Sequence, residues 1–388
     1  MVDILIILVS LSLVIWLFLL IFWGDFWKCD RYVDDNYPKL ESYPTVWVVI
    51  PARNEAEAIG SSLKSLLTQD YLGKFLVALV DDNSCDRTSE IARETADELE
   101  KAERLKIISG KPLDPGWKGK LWAMNQGIDY ASQQTSYPDY FLFTDADIYH
   151  HPENLSQLVA KAKTENLDLV SLMVLLHCTS LWEKLLIPAF VFFFQKLYPF
   201  PWVNEPQKSM AAAAGGCILI SSESLKEIGG IATIKDALID DCSLAKAVKS
   251  QDKNIWIGLT AKTISLRPYD DLKTIWDTIA RTAFTQLNYS PLLLIGTVIG
   301  MSILYLAAPA GLIIGIGTHH WLLLGTSIFT WLLMAIAYTP TIKLYNRSII
   351  QTLSLPAIAF LYTLMTLDSA VKYYQGKGGA WKGRTYAK

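Results

Sequence analysis

Charge, cysteine and repeated sequence are all scarce in this chain of 388 residues, and each shortage excludes a class of protein. A net charge of −3 at pH 7 gives no reason to expect nucleic acid as a partner. The five cysteines are scattered without a CxxC pair, which argues against a zinc site or a disulfide framework and fits a reducing compartment. The chain has no internal repeat and no low-complexity tract, and its 51% of hydrophobic residues excludes a disordered protein.

Charge is absent from an apolar run near the start of the chain, Ile4 to Trp23. Its length is close to the roughly 20 residues that a helix needs to cross a hydrocarbon core. Because the run lacks a basic leader and a small-residue cleavage site, we expect residues 1–27 to be a retained transmembrane anchor and not a signal peptide. Lys28 and Arg31 follow it, so the positive-inside rule predicts that the next part of the chain is cytoplasmic.

A second apolar region, at residues 291–371, predicts further membrane segments. It contains two runs that are long enough to span, Pro291 to Gly317 and Trp321 to Tyr338. A third run, Ser354 to Leu367, has only about 14 residues and contains Pro356, so it could cross the membrane or re-enter on the same side. A crossing would place the basic tail at residues 372–388 outside, against its charge, so we expect a cytoplasmic tail.

Residues 40–290 differ from both ends, because strand-like runs alternate there with helical patterns. Strands are predicted at Thr45 to Pro51, Phe75 to Asp82, Leu105 to Ser109 and Tyr140 to Thr144. Helices are predicted at Glu55 to Gln69, between the second strand and about Glu103, and at Lys118 to Ala131. This alternation indicates βαβ units and a parallel sheet, in which ligands bind beyond the carboxyl ends of the strands.

Acidic residues follow three of the predicted strands. These groups are Pro51 to Glu55, the pair Asp81 and Asp82, and the pair Asp145 and Asp147. Because parallel strands end at one edge of a sheet, we expect the three groups to converge on one rim. Asp81 to Ser84 could equally form a turn and a helix cap, which favour Asp, Asn and Ser.

The stretch Asp145-Ala146-Asp147 places two carboxylates so close that they repel each other unless water or a cation lies between them. Residues i and i+2 of an extended segment point the same way, so both carboxylates could bind one Mg²⁺ or Mn²⁺. His150 and His151 could be further ligands, but their place just before Pro152 favours the start of a helix.

Five motifs in this region carry a resemblance to a known family: "VVIPARNEAEAI", "VALVDDNSCDRT", "GWKGKLWAMNQGI", "FLFTDADI" and "IDDCSLA". Their order and spacing resemble those of the family 2 glycosyltransferases, which are inverting enzymes with the GT-A fold, over about residues 46–288. With "GGCILISSESLKEIGG", "ARTAFTQLNYS", "GGAWKGRTY" and the flanking spans, the chain most resembles the hopene-associated glycosyltransferases. These are bacterial membrane proteins related to ceramide glucosyltransferases and to carotenoid glycosyltransferases.

The resemblance implies an α/β fold: a Rossmann-like, mixed and mostly parallel sheet flanked by helices, with transmembrane helices at both ends. It also implies a site for a nucleotide sugar, with a UDP-sugar as the expected donor. The residues expected along the nucleoside are Pro51, Ala52, Arg53, Glu55, Asp81 and Asp82. Lys120 and Asn125 are expected near the sugar diphosphate, and Asp145 and Asp147 match the DxD pair that binds the metal.

Asp241, preceded by Asp240, matches the catalytic base of the family. Transfer from a nucleotide sugar needs a cation that neutralises the leaving diphosphate and a carboxylate that accepts the proton of the acceptor hydroxyl. Taken without the other motifs, two consecutive aspartates would indicate the N-terminus of a helix, which favours acidic residues.

One departure from the family concerns the QxxRW signature that processive polysaccharide synthases carry after the base. The chain has Arg281 and Gln286 there but no Arg-Trp pair, which weakens the case for a polymer synthase. Arg281 is either a diphosphate contact or an ordinary interfacial arginine. In the tail, Trp381 and Arg384 either fold back on the donor site or belong to a basic segment held by anionic lipid.

The apolar and aromatic segment Leu181 to Val203 is interrupted by charges and prolines. It predicts a helix that lies in the membrane interface, with Trp182 and Trp202 at the headgroup level; a core helix is the alternative. An interfacial helix would open the site to a lipid hydroxyl at the bilayer surface.

The sequence therefore predicts a non-processive lipid glycosyltransferase in the bacterial inner membrane, with its catalytic domain in the cytoplasm. We expect a nucleotide sugar and Mg²⁺ or Mn²⁺ as its ligands and a hopanoid or another isoprenoid lipid as acceptor. A polysaccharide or polyprenyl-phosphate sugar transferase and a non-catalytic nucleotide-binding membrane scaffold remain as alternatives.

Overall fold

The computed structural model describes residues 2–33, 36–37, 39–134 and 137–377. Within these residues the chain forms one mixed sheet with helices on both faces and a set of long apolar helices from the two ends of the chain. The predicted α/β fold with apolar helices at both ends is thus confirmed.

Eight strands make up the sheet in the described residues, in the spatial order β3-β2-β1-β4-β7-β6-β8-β5. The strands are β1 (Val46–Ala52), β2 (Phe75–Asp81), β3 (Leu105–Ser109), β4 (Tyr140–Phe143), β5 (Ile148–Tyr149), β6 (Leu169–Leu175), β7 (Ile218–Ser221) and β8 (Ile255–Ser265). β1 pairs in parallel with β2 and β4, β2 with β3, and β6 with β8. β7 runs antiparallel to both β4 and β6, so β1, β2, β4, β6 and β8 all end at the same edge.

The sheet is covered on both faces because its strands are apolar on both faces. All seven residues of β1 are buried, with Trp47 and Val49 in one core and Val46, Val48 and Ile50 in the other. The first core also holds the helix that follows β3, and the second holds the helices that follow β1 and β2. The buried runs that predicted strands therefore form the centre of the sheet.

The α-helices of the α/β unit are α2 (Ile59–Leu67), α3 (Thr88–Glu98), α4 (Gly119–Ser132), α5 (Asn154–Thr164), α6 (Leu181–Leu197), α7 (Phe200–Val203), α8 (Ser222–Glu227), α9 (Asp240–Lys249) and α10 (Leu272–Gln286). Those of the apolar ends are α1 (Val2–Phe22), α11 (Pro291–Met301), α12 (Ala307–Thr318), α13 (Trp321–Leu344) and α14 (Leu355–Tyr374). Short 3₁₀ turns lie at Ala102–Arg104, Ile231–Ile234 and Ile349–Ser354, and a π turn joins α11 to α12 at Ser302–Leu306.

Four helical segments among the described residues are long and apolar enough to cross a membrane: Val2–Phe22, Pro291–Thr318, Trp321–Leu344 and Ile349–Tyr374. They pack against one another through polar as well as apolar contacts. The side chains of Ser12 and Trp16 on α1 both donate hydrogen bonds to the carbonyl of Leu304, at 3.0 and 2.9 Å. That carbonyl lies in the π turn, where the helical hydrogen-bond pattern changes and a carbonyl can accept side-chain donors.

The last apolar segment differs from its prediction in length. It runs as a helix of 20 residues, because Pro356 lies in the first turn of α14, where a proline costs no helical hydrogen bond. The expectation of a short run broken by Pro356 was therefore wrong. Re-entry stays the prediction for this segment, since its two ends contact the same unit of the protein.

Contacts at those two ends carry the argument for re-entry. Just before the segment, the hydroxyl of Tyr345 accepts a hydrogen bond from the backbone of Leu176, which follows β6. At the far end, Lys372 forms an ion pair with Asp277 of α10 at 2.7 Å. Both ends of the segment therefore lie on the side of the α/β unit.

The predicted interfacial segment is also corrected. α6 ends at Leu197, and Phe200 to Val203 form the separate helix α7. α6 is packed by protein on two sides: Ile187 and Val191 belong to the core of the sheet, and Leu186 and Phe192 belong to the core of the apolar helices. The alternative of a core helix is thus the better description, and α6 joins the two parts of the protein.

Candidate active site

A cavity of about 470 Å³ lies beyond the carboxyl ends of the strands. Its polar lining is formed by side chains that follow β1, β4 and β8 and by the first residues of α4 and α9. The charged residues there are Glu55, Lys118, Lys120, Asp145, Asp147, Asp240, Asp241 and Arg267. The structure therefore brings most of the predicted carboxylates together.

Lys120 joins two of these carboxylates. Its amine lies 2.9 Å from Asp145 and 3.1 Å from Asp240. Burial alone would lower the pKa of Lys120, but the charges of Asp145 and Asp240 raise it overall, so the amine stays positive. A lysine at the N-terminus of α4 is unfavourable toward the helix dipole, and the two carboxylates compensate for this.

Arg267 joins two other carboxylates, those of Glu55 and Asp147. The sequence analysis did not identify this arginine. Its guanidinium donates to both oxygens of Glu55, at 2.8 and 2.9 Å, and to Asp147. Arg267 follows β8, whose carboxyl end reaches the same edge as β1 and β4. Recognising β8 as a strand of this sheet would have placed Arg267 at the rim.

The expected geometry of the Asp145 and Asp147 pair was wrong. β4 ends at Phe143, and Ala146 and Asp147 lie in a turn before β5, so the two aspartates are not neighbours on an extended segment. Their repulsion is relieved by two protein cations, since Asp145 pairs with Lys120 and Asp147 with Arg267.

The chemistry of this donor set fits a divalent cation that arrives with a substrate. Within the described residues, no group of three or more His, Cys, Asp and Glu side chains could hold a metal ion. Mg²⁺ and Mn²⁺ need only one or two carboxylates when water and substrate phosphates complete the shell. Asp145 and Asp147 offer two such carboxylates on the cavity wall.

The histidines next to this pair have structural roles. The ring of His150 is buried between the Thr144 hydroxyl, at 2.9 Å, and the Asn154 amide, at 3.0 Å. Burial lowers the pKa of His150 to about 3, so the ring is neutral. Both histidines precede α5, which agrees with the start of a helix and not with metal ligands.

Asp241 lies in the first turn of α9 and lines the cavity. One of its oxygens accepts a hydrogen bond from the backbone of Gly215 at 3.0 Å, and the other accepts one from the backbone of Cys242 at 2.7 Å. Burial, with the charge of Asp240 beside it, raises the pKa of Asp241 to about 6. A carboxylate with such a pKa is a competent general base near neutral pH.

The predicted nucleoside residues lie at the ends of β1 and β2, and only some of them reach the cavity. Pro51 and Glu55 line it, whereas Ala52 is buried in the sheet. The guanidinium of Arg53 lies 3.8 Å from the buried carboxylate of Asp82. Asp81 accepts hydrogen bonds from the backbone of Ser84 and the hydroxyl of Ser89. The turn part of that alternative therefore describes Asp81, whereas the N-cap residue of α3 is Arg87 and makes no side-chain cap hydrogen bond.

Four other predicted residues have different outcomes. Asn125 is absent from the cavity lining, and its amide donates to Asp129 one turn further along α4, at 2.9 Å. Arg281 does line the cavity, on α10. Trp381 and Arg384 lie outside the described residues.

Another part of the cavity lining is apolar. Met173, Val174 and Leu176 come from β6 and the segment after it, and Phe190 and Phe194 come from α6. On the α10 side the lining is polar, with Thr274, Thr278 and Arg281 spaced as neighbours on one helix face. Charged and apolar side chains thus line the same cavity.

Comparison with protein-family models gives a match to glycosyl transferase family 2 over residues 47–229. This match covers just under half of the chain, so residues 47–229, here called the family 2 domain, are similar to the family 2 glycosyltransferases. The family 2 domain contains Lys120, Asp145 and Asp147, whereas Asp241, Arg267 and Arg281 follow it in the sequence.

Two curated relatives are similar to part of the chain. The YdaM protein of Bacillus subtilis, named a probable glycosyltransferase, is 37% identical over 98 residues, which are 24% of this chain and 22% of that protein. The 4,4'-diaponeurosporenoate glycosyltransferase of Staphylococcus haemolyticus is 30% identical over 122 residues, 31% of this chain and 29% of that protein. The chain thus spans less than a third of the length of either relative.

A solved structure resembles nearly the whole chain. It is the mannosyltransferase PcManGT from Pyrobaculum calidifontis, in complex with GDP-Man and Mn²⁺. The superposition covers 96% of this chain and 99% of the PcManGT chain. The TM-score is 0.58 and the identity 18%, so the likeness concerns the fold. It extends beyond the family 2 domain to the apolar helices.

Proposed function

We propose that the chain is a membrane-bound inverting glycosyltransferase that moves a sugar from a nucleotide sugar to the hydroxyl of a lipid. The observation that carries the proposal is the cavity, which is lined by both charged and apolar side chains. Its charged groups suit a sugar diphosphate, and α6 contributes Phe190 and Phe194 to the same lining. α6 packs against α13, and α10 packs against α14, so two helices that line the cavity also contact the long apolar helices.

Among the charged groups, Asp145 and Asp147 would hold Mg²⁺ or Mn²⁺ together with the diphosphate of the donor. Such a cation supplies neutralisation of the charge that develops on the leaving group. Lys120 adds a fixed positive charge at the same place, and the ends of β1 and β2, with Arg53 and Asp82, lie beside the site for the nucleoside. A UDP-sugar is the donor that the sequence motifs favour.

Asp241 would act as the base in this reaction. The acceptor oxygen forms a bond to the anomeric carbon, the bond from that carbon to the diphosphate breaks, and the proton of the hydroxyl passes to the Asp241 carboxylate. The hydrogen bonds from Gly215 and Cys242 hold the carboxylate in place. Attack opposite to the leaving group inverts the anomeric centre.

A lipid acceptor is supported because α6 and α10, which line the cavity, also contact the long apolar helices. A relative named for diaponeurosporenoate, itself a lipid, supports this class of acceptor. A hopanoid or another isoprenoid lipid is the proposed acceptor, on the strength of the sequence resemblance. Lys28 and Arg31 after α1 favour a cytoplasmic catalytic domain at the inner membrane of a bacterium.

The experiment uses membranes that contain the full chain. They are incubated with labelled UDP- and GDP-sugars, with and without Mn²⁺, and the lipid phase is analysed for labelled glycolipid. The expected result is a metal-dependent lipid glycoside from one donor, absent in membranes carrying the Asp241→Asn variant. A sugar linked through phosphate would favour the polyprenyl-phosphate alternative, and long polymers would favour a polysaccharide synthase. The complete absence of donor turnover would leave a binding scaffold as the better description.

A further inference from the structure

Arg267 pairs with Asp147, one of the two carboxylates proposed to hold the cation, and also with Glu55. We propose that Arg267 is an internal counter-ion of the metal site: it pairs with Glu55 and Asp147 before loading and transfers to the donor diphosphate when the cation enters. Cation and nucleotide then bind together, and the cation alone binds weakly. This inference rests on the proposed function, since it concerns the same donor site.

The geometry of the pairing is the first support. Arg267 donates to both oxygens of Glu55, at 2.8 and 2.9 Å, and to one oxygen of Asp147. The side chains of Glu55 and Asp147 are only 12% and 9% exposed. Carboxylates with so little contact to water need a positive partner, and Arg267 supplies one for both.

Competition for Asp147 is the second support. A hard cation binds carboxylate oxygens directly, and one oxygen of Asp147 already accepts from Arg267. Lys120 on Asp145 adds a second positive charge beside the same position. A divalent cation that enters alone must therefore displace or approach two positive groups, whereas one that enters with a diphosphate brings its own negative charge.

The surroundings of Arg267 show which part can move. Leu266 donates its backbone N–H to the carbonyl of Asp147 at 2.7 Å, and Tyr269 donates its N–H to the buried carboxylate of Glu183 at 2.7 Å. The backbone on both sides of Arg267 is thus held, and only its long side chain is free to change partner. A planar guanidinium that leaves these carboxylates can bind two diphosphate oxygens with its N–H groups.

The test measures Mn²⁺ binding to the full-length protein in detergent, from the electron paramagnetic resonance signal of free Mn²⁺. It compares the wild-type protein with Arg267→Gln, in the presence and absence of UDP or GDP. The Arg87→Gln variant is the matched control, because Arg87 is exposed and pairs only with Glu90 and Glu94 on the surface of α3 among the ion pairs described.

We expect Arg267→Gln to bind Mn²⁺ alone about tenfold more tightly than the wild type, and the gain in Mn²⁺ affinity from the nucleotide to shrink by a similar factor. The control should match the wild type in both measurements. Arg267→Lys keeps the charge but loses the planar guanidinium, so its Mn²⁺ affinity should lie between those of the wild type and Arg267→Gln. This variant replaces Arg267→Gln in the test if the glutamine variant does not fold.

Equal or weaker Mn²⁺ binding by both Arg267 variants overturns the inference and leaves the proposed function intact, provided that UDP or GDP still promotes Mn²⁺ binding in the wild type. If neither nucleotide promotes Mn²⁺ binding in the wild type, the donor site itself is wrong and both proposals fall.

Discussion

The buried carboxylate of Glu183 accepts a hydrogen bond from the backbone N–H of Tyr269 at 2.7 Å. Glu183 lies near the start of α6, and Tyr269 lies in the cavity wall two residues after Arg267. The same carboxylate also accepts from the backbones of Thr179 and Ser180 and from the His177 ring. One side chain thus joins the apolar wall of the cavity to the segment that carries Arg267.

Replacing Glu183 is expected to destabilise the protein. Glu183→Ala leaves four backbone or ring donors without their acceptor, and each unsatisfied buried group costs about 1–3 kcal/mol. We expect a clear fall in the melting temperature of the purified protein, measured by the change in its intrinsic fluorescence on heating. Glu103→Gln is the control, because Glu103 is 69% exposed and should change stability by no more than about 0.5 kcal/mol. A Glu183→Ala protein that melts with the control would contradict this role.

This interaction also gives a pH dependence of stability. Burial would raise the pKa of Glu183, but its hydrogen bonds outweigh burial and lower the pKa from 4.5 to about 2. Because the folded-state pKa is the lower one, the ionised group stabilises the fold above pH 4.5, and that contribution is lost as the pH falls toward 2. The difference in stability between wild type and Glu183→Ala should therefore shrink over this range.

Hydrophobic runs made much of the sheet predictable. "TVWVVIP" contains nearly all of β1, and the strand at Leu105–Ser109 and the helix at residues 118–131 lie within a residue or two of β3 and α4. These elements are recognisable because burial on both faces of a sheet, or on one face of a helix, imposes its own sequence pattern.

The site was less predictable, because its contacts join distant parts of the chain. Arg267 is 120 residues from Asp147 and 212 from Glu55, and no local pattern reports such pairs. Asn125, in contrast, could have been rejected. It lies five residues after Lys120 on one helix, so the two side chains point about 140° apart and cannot both face a diphosphate.

The role of Asp241 predicts a loss of turnover without a loss of binding. Asp241→Asn keeps the size and the acceptor oxygen of the side chain but cannot take a proton, so transfer should fall at least about 100-fold. Binding of UDP or GDP with Mn²⁺, measured by calorimetry, should stay within about twofold of the wild type. Asp252→Asn is the matched control: Asp252 is exposed in the turn after α9 with φ 56°, a conformation that asparagine tolerates. Full activity of Asp241→Asn would remove its role as base.

Transfer should also depend on pH through the same carboxylate. The pKa of Asp241 is raised to about 6, and the base must be deprotonated, so kcat/KM should fall about tenfold per pH unit below pH 6 and level off above it. Asp240 contributes to this raised pKa by its charge. The kcat/KM of the Asp240→Asn variant should therefore fall in the same way as that of the wild type, but at lower pH. A flat profile between pH 5 and 7 in the wild type would exclude Asp241 as the titrating base.

The C-terminal end of α14 is expected on the same side of the membrane as the catalytic domain. Lys372 lies between Asp277 of α10, at 2.7 Å, and Asp368, at 2.9 Å, and Trp276 donates to Asp368 at 2.8 Å. Because α10 lines the cavity, a crossing of the last segment would separate these partners by the thickness of the bilayer.

Labelling of single cysteines in intact cells with a membrane-impermeant maleimide tests this arrangement. The background replaces the five native cysteines by serine, and the probes are Lys377→Cys after α14, Lys226→Cys in the family 2 domain and Thr318→Cys at the end of α12, beside the link to α13. We expect Thr318→Cys to react from outside, and the other two to react only after the membrane is permeabilised. Reaction of Lys377→Cys from outside would mean that the last segment crosses, and the contact between α10 and α14 would then be absent from the protein in its membrane.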